Sequence, residues 1–310
     1  MHTIYLSLGS NLGHRHKNLQ KAIFGLNNGI GTITAVSRIY ESASWGFDSS
    51  DFLNASVELQ TTLSPPELMQ RILAVEEQLG RVRDPMDGYM ARTIDIDILY
   101  YDTEVIATKS VLIPHPKIGQ RLFVLKPLAD IAPQFYHPVL KKDTRNLIQQ
   151  CKDHIVPKRM AERLFLNKEA LFSHIQFISF EGNIGVGKTT LATRFAHEFN
   201  AKLVLERFAD NPFLPNFYKD PDRYAFPLEM SFLAERYQQF ADDTTQFDLF
   251  KSFMVSDYDI HKSLIFAKVT LQNDEFELYR KLFRMMYQQV KKPKIYVFLY
   301  QTVERLLQNI

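Results

Sequence analysis

Cysteine is nearly absent: Cys151 is the single one in 310 residues, so no internal disulfide can hold the chain together. Net charge is close to absent too. With 37 basic against 35 acidic residues the formal charge is +2, which removes any general electrostatic reason to expect nucleic acid or an anionic membrane as partner and leaves small, locally bound anions open. No uninterrupted apolar run approaches the roughly 20 residues of a membrane-spanning helix. The first residues, Met1-His2-Thr3-Ile4-Tyr5-Leu6, lack the charged-then-apolar layout of a secretory signal. Together these absences imply a soluble, cytoplasmic protein without a nucleic-acid or membrane partner. What is present, 45% hydrophobic and 13% aromatic residues over a length sufficient for two ordinary domains, is ample for packed cores.

The first half is organised around residues 91–100, Ala-Arg-Thr-Ile-Asp-Ile-Asp-Ile-Leu-Tyr. Ile94, Ile96 and Ile98 alternate with Thr93, Asp95 and Asp97, the period of a half-buried strand, so both aspartates point the same way. Residues two apart on one face lie roughly 6.5–7 Å apart, a spacing from which two carboxylates can grip one divalent ion or a close pair of them. The bland alternative is a sheet edge whose solvent face carries two acids.

Around this strand the pattern reads as a small α+β domain. An apolar strand over residues 4–8 runs into Gly9-Ser10-Asn11-Leu12-Gly13, followed by a helix with Leu19, Ile23 and Leu26 on one side. Residues 33–40 and 53–59 read as two further strands, the second with Leu53, Ala55, Val57 and Leu59 inward and Asn54 on the opposite face. Ser64-Pro65-Pro66-Glu67 is a capping box with proline at the first helical position, opening a helix with Leu68, Ile72, Val75 and Leu79 at helical spacing that ends at Gly80. The order β-α-β-β-α-β predicts a ferredoxin-like arrangement. Between the second helix and the Asp95 strand lies a loop with Arg81, Arg83 and Arg92, whose planar guanidiniums suit phosphate oxygens. Ile113-Pro114-His115-Pro116 and Arg121-Leu122-Phe123 add another imidazole and guanidinium; a histidine between prolines reads equally as a turn residue.

These residues carry a resemblance. Leu8-Gly9-Ser10-Asn11-Leu12-Gly13, Phe52-Leu53-Asn54, Glu76 through Arg83, Arg92-Thr93-Ile94-Asp95-Ile96-Asp97 and Ile113-Pro114-His115-Pro116 with Arg121-Leu122-Phe123 resemble the 6-hydroxymethyl-7,8-dihydropterin pyrophosphokinase family, in order, over roughly residues 1–150. The resemblance implies a ferredoxin-like fold that passes the β,γ-diphosphate of ATP to the pterin hydroxymethyl group in folate synthesis, releasing AMP. It implies that Asp95 and Asp97 hold two magnesium ions, that Arg81, Arg83, Arg92, His115 and Arg121 line the triphosphate, with Arg81 and Arg92 catalytic, and that Phe52 and Phe123 sandwich the pterin while Asn54 hydrogen-bonds its edge. A flat ring with an amide-like rim calls for aromatic faces and a side chain that both donates and accepts. One departure is visible: Met90 and Ala91 stand where the family usually shows glycine and proline.

A new start follows a helical connection read over residues 146–171, with the boundary placed between a first domain, 1–164, and a second, 165–310. Residues 175–180 are a buried-type strand leading into Glu181-Gly182-Asn183-Ile184-Gly185-Val186-Gly187-Lys188-Thr189-Thr190 and an amphipathic helix with Leu191, Phe195 and Phe199. Strand, glycine-rich loop and helix complete the phosphate-binding loop pattern, which predicts a parallel-sheet α/β domain. Gly182, Gly185, Gly187, Lys188, Thr189 and Thr190 form its ATP-binding set, Lys188 reaching the β- and γ-phosphates and the Thr189 hydroxyl binding magnesium.

A strand over 202–205 delivers Glu206 to its C-terminal end. Glu206-Arg207-Phe208-Ala209-Asp210-Asn211-Pro212-Phe213-Leu214, Tyr224-Ala225-Phe226-Pro227-Leu228-Glu229 with Arg236, and Ser256-Asp257-Tyr258 resemble the deoxynucleoside kinase family over about residues 172–310. The resemblance implies that Glu206 takes the proton of the nucleoside 5′-hydroxyl, that Asp257 lies near magnesium, that Glu229 and Arg236 face the nucleobase, and that an oligomer through this domain is open. It departs where Glu229 replaces glutamine, where Tyr258 replaces an arginine, with Lys262 a candidate substitute, and at the end of the chain, which stops where the family shows an arginine-rich lid. The 310 residues alone are therefore expected to be an incomplete kinase that phosphorylates nucleosides poorly.

The reading is a bifunctional, magnesium-dependent transferase using ATP, with 6-hydroxymethyl-7,8-dihydropterin and a deoxynucleoside as acceptors. The competing reading is a P-loop small-molecule kinase whose first domain is a non-catalytic metabolite-binding module, since a fold does not fix an activity.

Overall fold

The computed structural model describes residues 1–44, 49–81, 91–108, 111–207, 211–245 and 250–309, the side chains of 244 and 245 excepted. The chain divides into two compact units, Met1–Ala170 and Leu171–Ile310. No helix among the described residues is long and apolar enough to cross a membrane.

In the first unit the alternating segments become β1 (His2–Ser10), β2 (Thr32–Val36), β3 (Tyr40–Ser42), β4 (Phe52–Thr61) and β5 (Asp95–Tyr101), with helices α1 (Arg15–Gly29) and α2 (Pro65–Gln78) between them. After them come a small hairpin of β6 (Ile106–Ala107) and β7 (Leu112–Ile113), then α3 (Leu122–Ile131), α4 (Thr144–Gln150) and β8 (Lys158–Arg159). The main sheet is antiparallel in the order β5-β1-β4-β3-β8, with β2 also on β4. That is the ferredoxin-like order, with the strand next to β4 broken in two and β8 added beyond β3. At the start of α2 the Glu67 carboxylate accepts the Ser64 N–H at 2.9 Å, one half of the capping box.

Both faces of this sheet are covered. Ile4, Leu6 and Leu8 of β1 pack with Leu19, Ile23 and Leu26 of α1 and Leu68, Ile72 and Val75 of α2. On the other face Tyr5, Leu99 and Tyr100 meet Val124, Leu125 and Leu128 of α3 and Leu147 of α4. Ile96 and Ile98 belong to the first core, so Asp95 and Asp97 lie on the α3 face. Their face is partly walled in, which removes the open solvent face of the bland alternative. The β1–β5 register slips between Tyr5 and Leu6, leaving Leu99 as an extra residue, and the bulge turns Tyr100 onto the same face as the two aspartates.

Two segments differ from expectation. The strand read over residues 33–40 breaks at Ser37, because side chains take over the ladder there: Ser37 Oγ accepts the Ser56 N–H at 2.8 Å, and the Arg38 N–H goes to Asp130 Oδ2 at 3.0 Å. The helical connection read over 146–171 is helical only at its ends, in α4 and in α5 (Lys168–Ile175). Between them the chain runs back over the first unit: β8 pairs with β3, and Phe165 exchanges two hydrogen bonds with the Gln20 amide at 2.7 and 2.8 Å. Met160, Leu164 and Leu166 pack against the first core, so apolar anchoring and edge pairing outweigh helix propensity.

The second unit contains β9 (Phe177–Gly182), α6 (Lys188–Glu198), β10 (Lys202–Val204), α7 (Leu214–Phe217), α8 (Pro221–Thr245), β11 (Met254–Ser256), α9 (His261–Thr270), α10 (Asn273–Tyr287), β12 (Ile295–Leu299) and α11 (Val303–Asn309). Its sheet is parallel throughout, in the order β10-β11-β9-β12. Buried residues on both faces, Phe177 and Met254 in one core and Ile178 and Val255 in the other, explain why these strands read as continuous apolar runs. The carboxyl ends of β9, β10 and β11 therefore deliver Gly182, Glu206 and Asp257 to one edge, where open α/β sheets bind ligands.

Where α1 gives way to β2, a Cβ on Gly31 would stand 2.2 Å from the Gln60 carbonyl oxygen, a backbone atom that cannot step aside. Gly31→Ala is expected to destabilise the first unit by about 1–3 kcal/mol. Hydrogen exchange of the β1 and β4 amides in the full chain measures this; unchanged protection would refute the close approach.

Candidate active sites

The strand register assembles the first site. Across the sheet Asp95 stands opposite Gly9, Gly9 opposite Asn54, and Asn54 opposite Tyr40, while Asp97 stands opposite Ser7. Residues in such a row point to one face. Asp95, Asp97, Asn54 and Phe52 accordingly line one cavity, joined from α3 and its N-terminus by Arg121 and Phe123 and from the loop before β5 by Arg92. Gly9 lies in the middle of this row with no side chain, which leaves room above the sheet.

Asn54 is 3% exposed and fixed in orientation, its Nδ2 donating to Ser42 Oγ at 3.0 Å and more weakly to the Tyr40 carbonyl. Arg121 spreads over the Phe123 ring, with Cζ 5.6 Å from the centroid. The Asp95 carboxylate is gripped from two sides: Arg81 Nη1 donates to Oδ1 at 2.6 Å and Arg92 Nη1 to Oδ2 at 2.8 Å. Burial, and then the charge of Asp95, push the Asp97 carboxyl up to about 6, with Arg121 and Arg81 pulling the other way. Two carboxylates on one wall of a cavity, the charge of one raising the other, are a donor set suited to a divalent cation. Among the described residues no group of three or more His, Cys, Asp or Glu is arranged for a metal.

His115 does not line the cavity, yet the charges of Arg121 and Asp95 both reach it. Its Nδ1 accepts the Lys117 N–H at 3.2 Å, which leaves the ring proton on Nε2 as a donor. Burial, reinforced by Arg121, lowers its pKa to about 4. Arg83 lies outside the described residues.

Two residues that sequence reasoning did not assign hold this site in shape. Glu76, 1% exposed on α2, accepts from Arg81 Nη1 and from the Ile96 N–H, the latter at 2.8 Å, so one carboxylate fixes both the arginine and the strand between the aspartates. A glutamate four residues after Ile72, inside the apolar stripe of a helix, was the available signal. Asn11 accepts the Arg92 N–H at 2.7 Å and donates its own N–H to the Arg92 carbonyl, clasping the backbone that carries the second guanidinium.

In the second unit the loop after β9 turns through left-handed backbone at Gly185 and Gly187, the latter capping α6 at φ 94°. Lys188 Nζ donates to the Gly182 and Asn183 carbonyls at 2.9 Å, and Thr189 Oγ1 donates to Asp257 Oδ2 at 2.5 Å. The other Asp257 oxygen accepts the Glu206 N–H at 2.9 Å. Thr190 opens α6 beside them. Glu206 lies between two cations, Arg236 Nε at 3.1 Å and Lys262 Nζ at 2.5 Å, and lines a second cavity with Arg236, Phe232 and Gln239.

Glu229 is not brought into that cavity. It is 4% exposed, accepts the Thr270 hydroxyl at 3.0 Å, and its Oε2 has no partner among the described residues; burial raises its pKa. Tyr258 packs edge-on against Phe240 in the core, so it supplies no charge at the site. Glu181, also unassigned from sequence, is pushed up to about 7 chiefly by burial and accepts from the Ser179 hydroxyl at 3.2 Å.

Comparison with known proteins matches each unit. Residues 5–133 match the family model of 7,8-dihydro-6-hydroxymethylpterin-pyrophosphokinase, and residues 178–310 that of deoxynucleoside kinase. The 2-amino-4-hydroxy-6-hydroxymethyldihydropteridine pyrophosphokinase of Aquifex aeolicus is 43% identical over 143 residues, covering 46% of this chain and 88% of that protein. Folic acid synthesis protein fol1 of Pneumocystis carinii is 38% identical over 172 residues, covering 55% of this chain but only 23% of that protein. Among solved structures, deoxyadenosine kinase from M. mycoides with products dCMP and a flexible dCDP bound resembles 43% of this chain and 68% of its own at 17% identity, with a TM-score of 0.36.

The geometry of the first site makes two expectations. Removing the Glu76 carboxylate, as Glu76→Ala, leaves the buried Ile96 N–H without its acceptor and is expected to cost the first unit about 1–3 kcal/mol in denaturant unfolding; a smaller change would mean the strand does not lean on it. His115 is expected to show no imidazole titration by NMR between about pH 5 and 8. Because its folded pKa of about 4 lies below the ordinary 6.5, the unfolded chain binds the extra proton first. Its contribution to stability is thus complete above 6.5 and is lost as pH falls toward 4, and His115→Asn should remove that part of the slope.

Proposed function

The chain belongs, through its first unit, to the 7,8-dihydro-6-hydroxymethylpterin-pyrophosphokinase family, and from that premise we propose that it transfers the β,γ-diphosphate of ATP to 6-hydroxymethyl-7,8-dihydropterin, releasing AMP, and that its second unit is an ATP-dependent deoxynucleoside 5′-kinase. The observation that carries the first reading is the single cavity in which Phe52, Asn54 and Phe123 meet Asp95, Asp97, Arg92 and Arg121. One end offers aromatic faces and a fixed amide for a pterin, the other carboxylates and guanidiniums for a metal-bound polyphosphate.

Asp95 and Asp97 are the residues that would hold magnesium, which when bound neutralises phosphate charge and lets a hydroxyl approach the β-phosphorus. The protein's own groups supply the rest. Phe52 and Phe123 exclude water from the pterin faces, and Asn54, locked by Ser42, reads the ring edge. Arg81 and Arg92 converge on Asp95 from two sides, so a triphosphate held over the aspartates meets guanidinium on both flanks. His115 offers its Nε2 proton as a neutral donor. The hydroxymethyl oxygen forms the new bond to the β-phosphorus, the bond from that phosphorus to the α,β-bridging oxygen breaks, AMP leaves with that oxygen, and the hydroxyl proton is released to solvent.

In the second unit Lys188 and Thr189 lie at the start of α6 beside Asp257, supporting a triphosphate site, and Glu206 borders the adjoining cavity as the group to accept the 5′-hydroxyl proton. Most of the acceleration there must come from positive charge at the transferring phosphoryl, since the chemistry needs little more than positioning and charge. We place both activities in the cytoplasm, where ATP and magnesium are available.

Release of AMP from ATP on addition of 6-hydroxymethyl-7,8-dihydropterin tests the first reading. Asp97→Ala is expected to lower that rate by ~10²- to 10³-fold or more, whereas Glu206→Gln is expected to leave it unchanged and to lower deoxynucleoside phosphorylation by ~10²- to 10⁴-fold. No AMP from the unmutated chain would favour the non-catalytic, metabolite-binding reading of the first unit.

A further inference from the structure

Two helices of the first unit open on a cap drawn from their own first residues. Where α2 begins, Glu67 takes the Ser64 N–H at 2.9 Å, and where α4 begins, Asp143 Oδ1 accepts the Asn146 N–H at 2.8 Å. In α3 the cap position is held by Arg121, whose side chain makes no capping hydrogen bond, and the first turn holds no acid. The first N–H groups of a helix have no partner within it, and Leu122 is only 7% exposed, so water is a poor substitute there. Asp153 fills the place from 31 positions further on, its Oδ2 accepting the Leu122 N–H at 3.0 Å. Its negative charge also stands at the positive end of the helix dipole.

What this hydrogen bond fixes is the peptide between Arg121 and Leu122. On the other side of that peptide the Arg121 carbonyl accepts the Leu125 N–H at 3.0 Å. With both polar groups held, the rigid plane has no freedom to turn, and the directions in which Arg121 and Phe123 leave the backbone are set with it. Those two side chains line the first cavity, Arg121 spread over the Phe123 ring.

Asp153 is itself anchored. Its Oδ1 accepts the Ile155 N–H at 3.0 Å, a turn that leads the chain toward β8. There Lys158 and Arg159 pair with Glu41 and Tyr40 of β3, and the Met160 N–H donates to the Ile39 carbonyl at 2.9 Å. The same strand carries Ser42, which orients the Asn54 amide. One segment, residues 153–160, therefore braces both sides of the cavity from outside it, the guanidinium and aromatic side through α3 and the amide side through β3. Near the far end of α3, Asp130 ties that helix to the stretch leading into β3 and to β3 itself, accepting the Arg38 N–H at 3.0 Å and the Tyr40 hydroxyl at 3.1 Å. Asp153 does not line the cavity, and it lies beyond residues 5–133, the span that the pyrophosphokinase family model matches.

We propose that Asp153 is a positioning residue of the first site, holding the start of α3 so that Arg121 and Phe123 stand where the triphosphate and the pterin need them. The proposal rests on the reading of the first unit as a pyrophosphokinase and adds to it a residue that never touches substrate. Without this carboxylate the start of α3 has other arrangements open to it, and substrates bind only the fraction of molecules in the held one. Bound substrates restore that arrangement, so the chemical step proceeds as before.

Steady-state AMP release by the full chain with magnesium, ATP and 6-hydroxymethyl-7,8-dihydropterin separates positioning from stability alone. Asp153→Ala is expected to raise KM for both substrates about three- to tenfold, with kcat within about twofold. Asp153→Asn, which keeps an acceptor for the Leu122 N–H but not the charge, is expected to give a smaller rise. Glu67→Ala, which removes the carboxylate that caps α2, is expected to lower stability and leave both KM values unchanged. Added to Phe123→Ala, Asp153→Ala should lose most of its effect on the pterin KM, since the group through which it acts is gone. Unchanged KM values in Asp153→Ala, the same rise in Glu67→Ala, or full additivity with Phe123→Ala would overturn the proposal while leaving the pyrophosphokinase reading in place. No AMP from the unmutated chain would overturn both. Should Asp153→Ala fail to fold, Asp153→Asn carries the comparison, unchanged KM values again overturning the proposal.

Discussion

Asp95, held between Arg81 and Arg92, is the interaction on which the first unit depends. A carboxylate on a covered sheet face is costly unless it is paired, and here two guanidiniums reach it from opposite sides of one loop. Glu76 completes the arrangement from behind the strand by accepting both Arg81 and the Ile96 N–H. The sheet and a helix are thus tied at one point, and that point lies at the wall of the cavity that also holds Phe52, Asn54 and Phe123. Electrostatics and architecture are the same constraint there: were the pairs lost, the strand would carry uncompensated charge on a packed face.

The second unit solves the analogous problem differently. Its parallel strands carry apolar residues on both faces and bring polar ones together only at their carboxyl ends, so Gly182, Glu206 and Asp257 converge without a bulge or a register device. Thr189, Asp257 and the Glu206 backbone form a chain of hydrogen bonds linking the helix start to the neighbouring strand end. Both sites set cations against carboxylates: Arg81 and Arg92 against Asp95 in one, Arg236 and Lys262 against Glu206 in the other.

Much of this was legible in the sequence because the period of two in residues 94–98 and the complete glycine-lysine pattern at 182–189 each express a local backbone rule. The aspartates share a face for the reason alternation predicts, and the covered state of that face became visible only once α3 was seen packed on it. The broken strand at Ser37 was not legible, since it depends on hydrogen bonds to Ser56 and Asp130, far away in sequence. The stretch after α4 misled because its residues have fair helix propensity, whereas the outcome was set by a free strand edge at β3 and by Gln20. Glu76 was readable in principle as a charge in an apolar stripe, but which backbone and which arginine it serves is tertiary information. The contact Glu229 makes with the Thr270 hydroxyl was not legible either, since it joins two helices far apart in sequence.

The central claim is that the paired carboxylates and their guanidiniums form a centre that moves a diphosphate intact. Phosphorus NMR of a mixture of the full chain, magnesium, ATP and 6-hydroxymethyl-7,8-dihydropterin tests it most directly. The account predicts two mutually coupled resonances of a pterin diphosphate growing in step with AMP. Appearance of ADP with a pterin monophosphate, or no pterin-bound phosphorus at all, would contradict it.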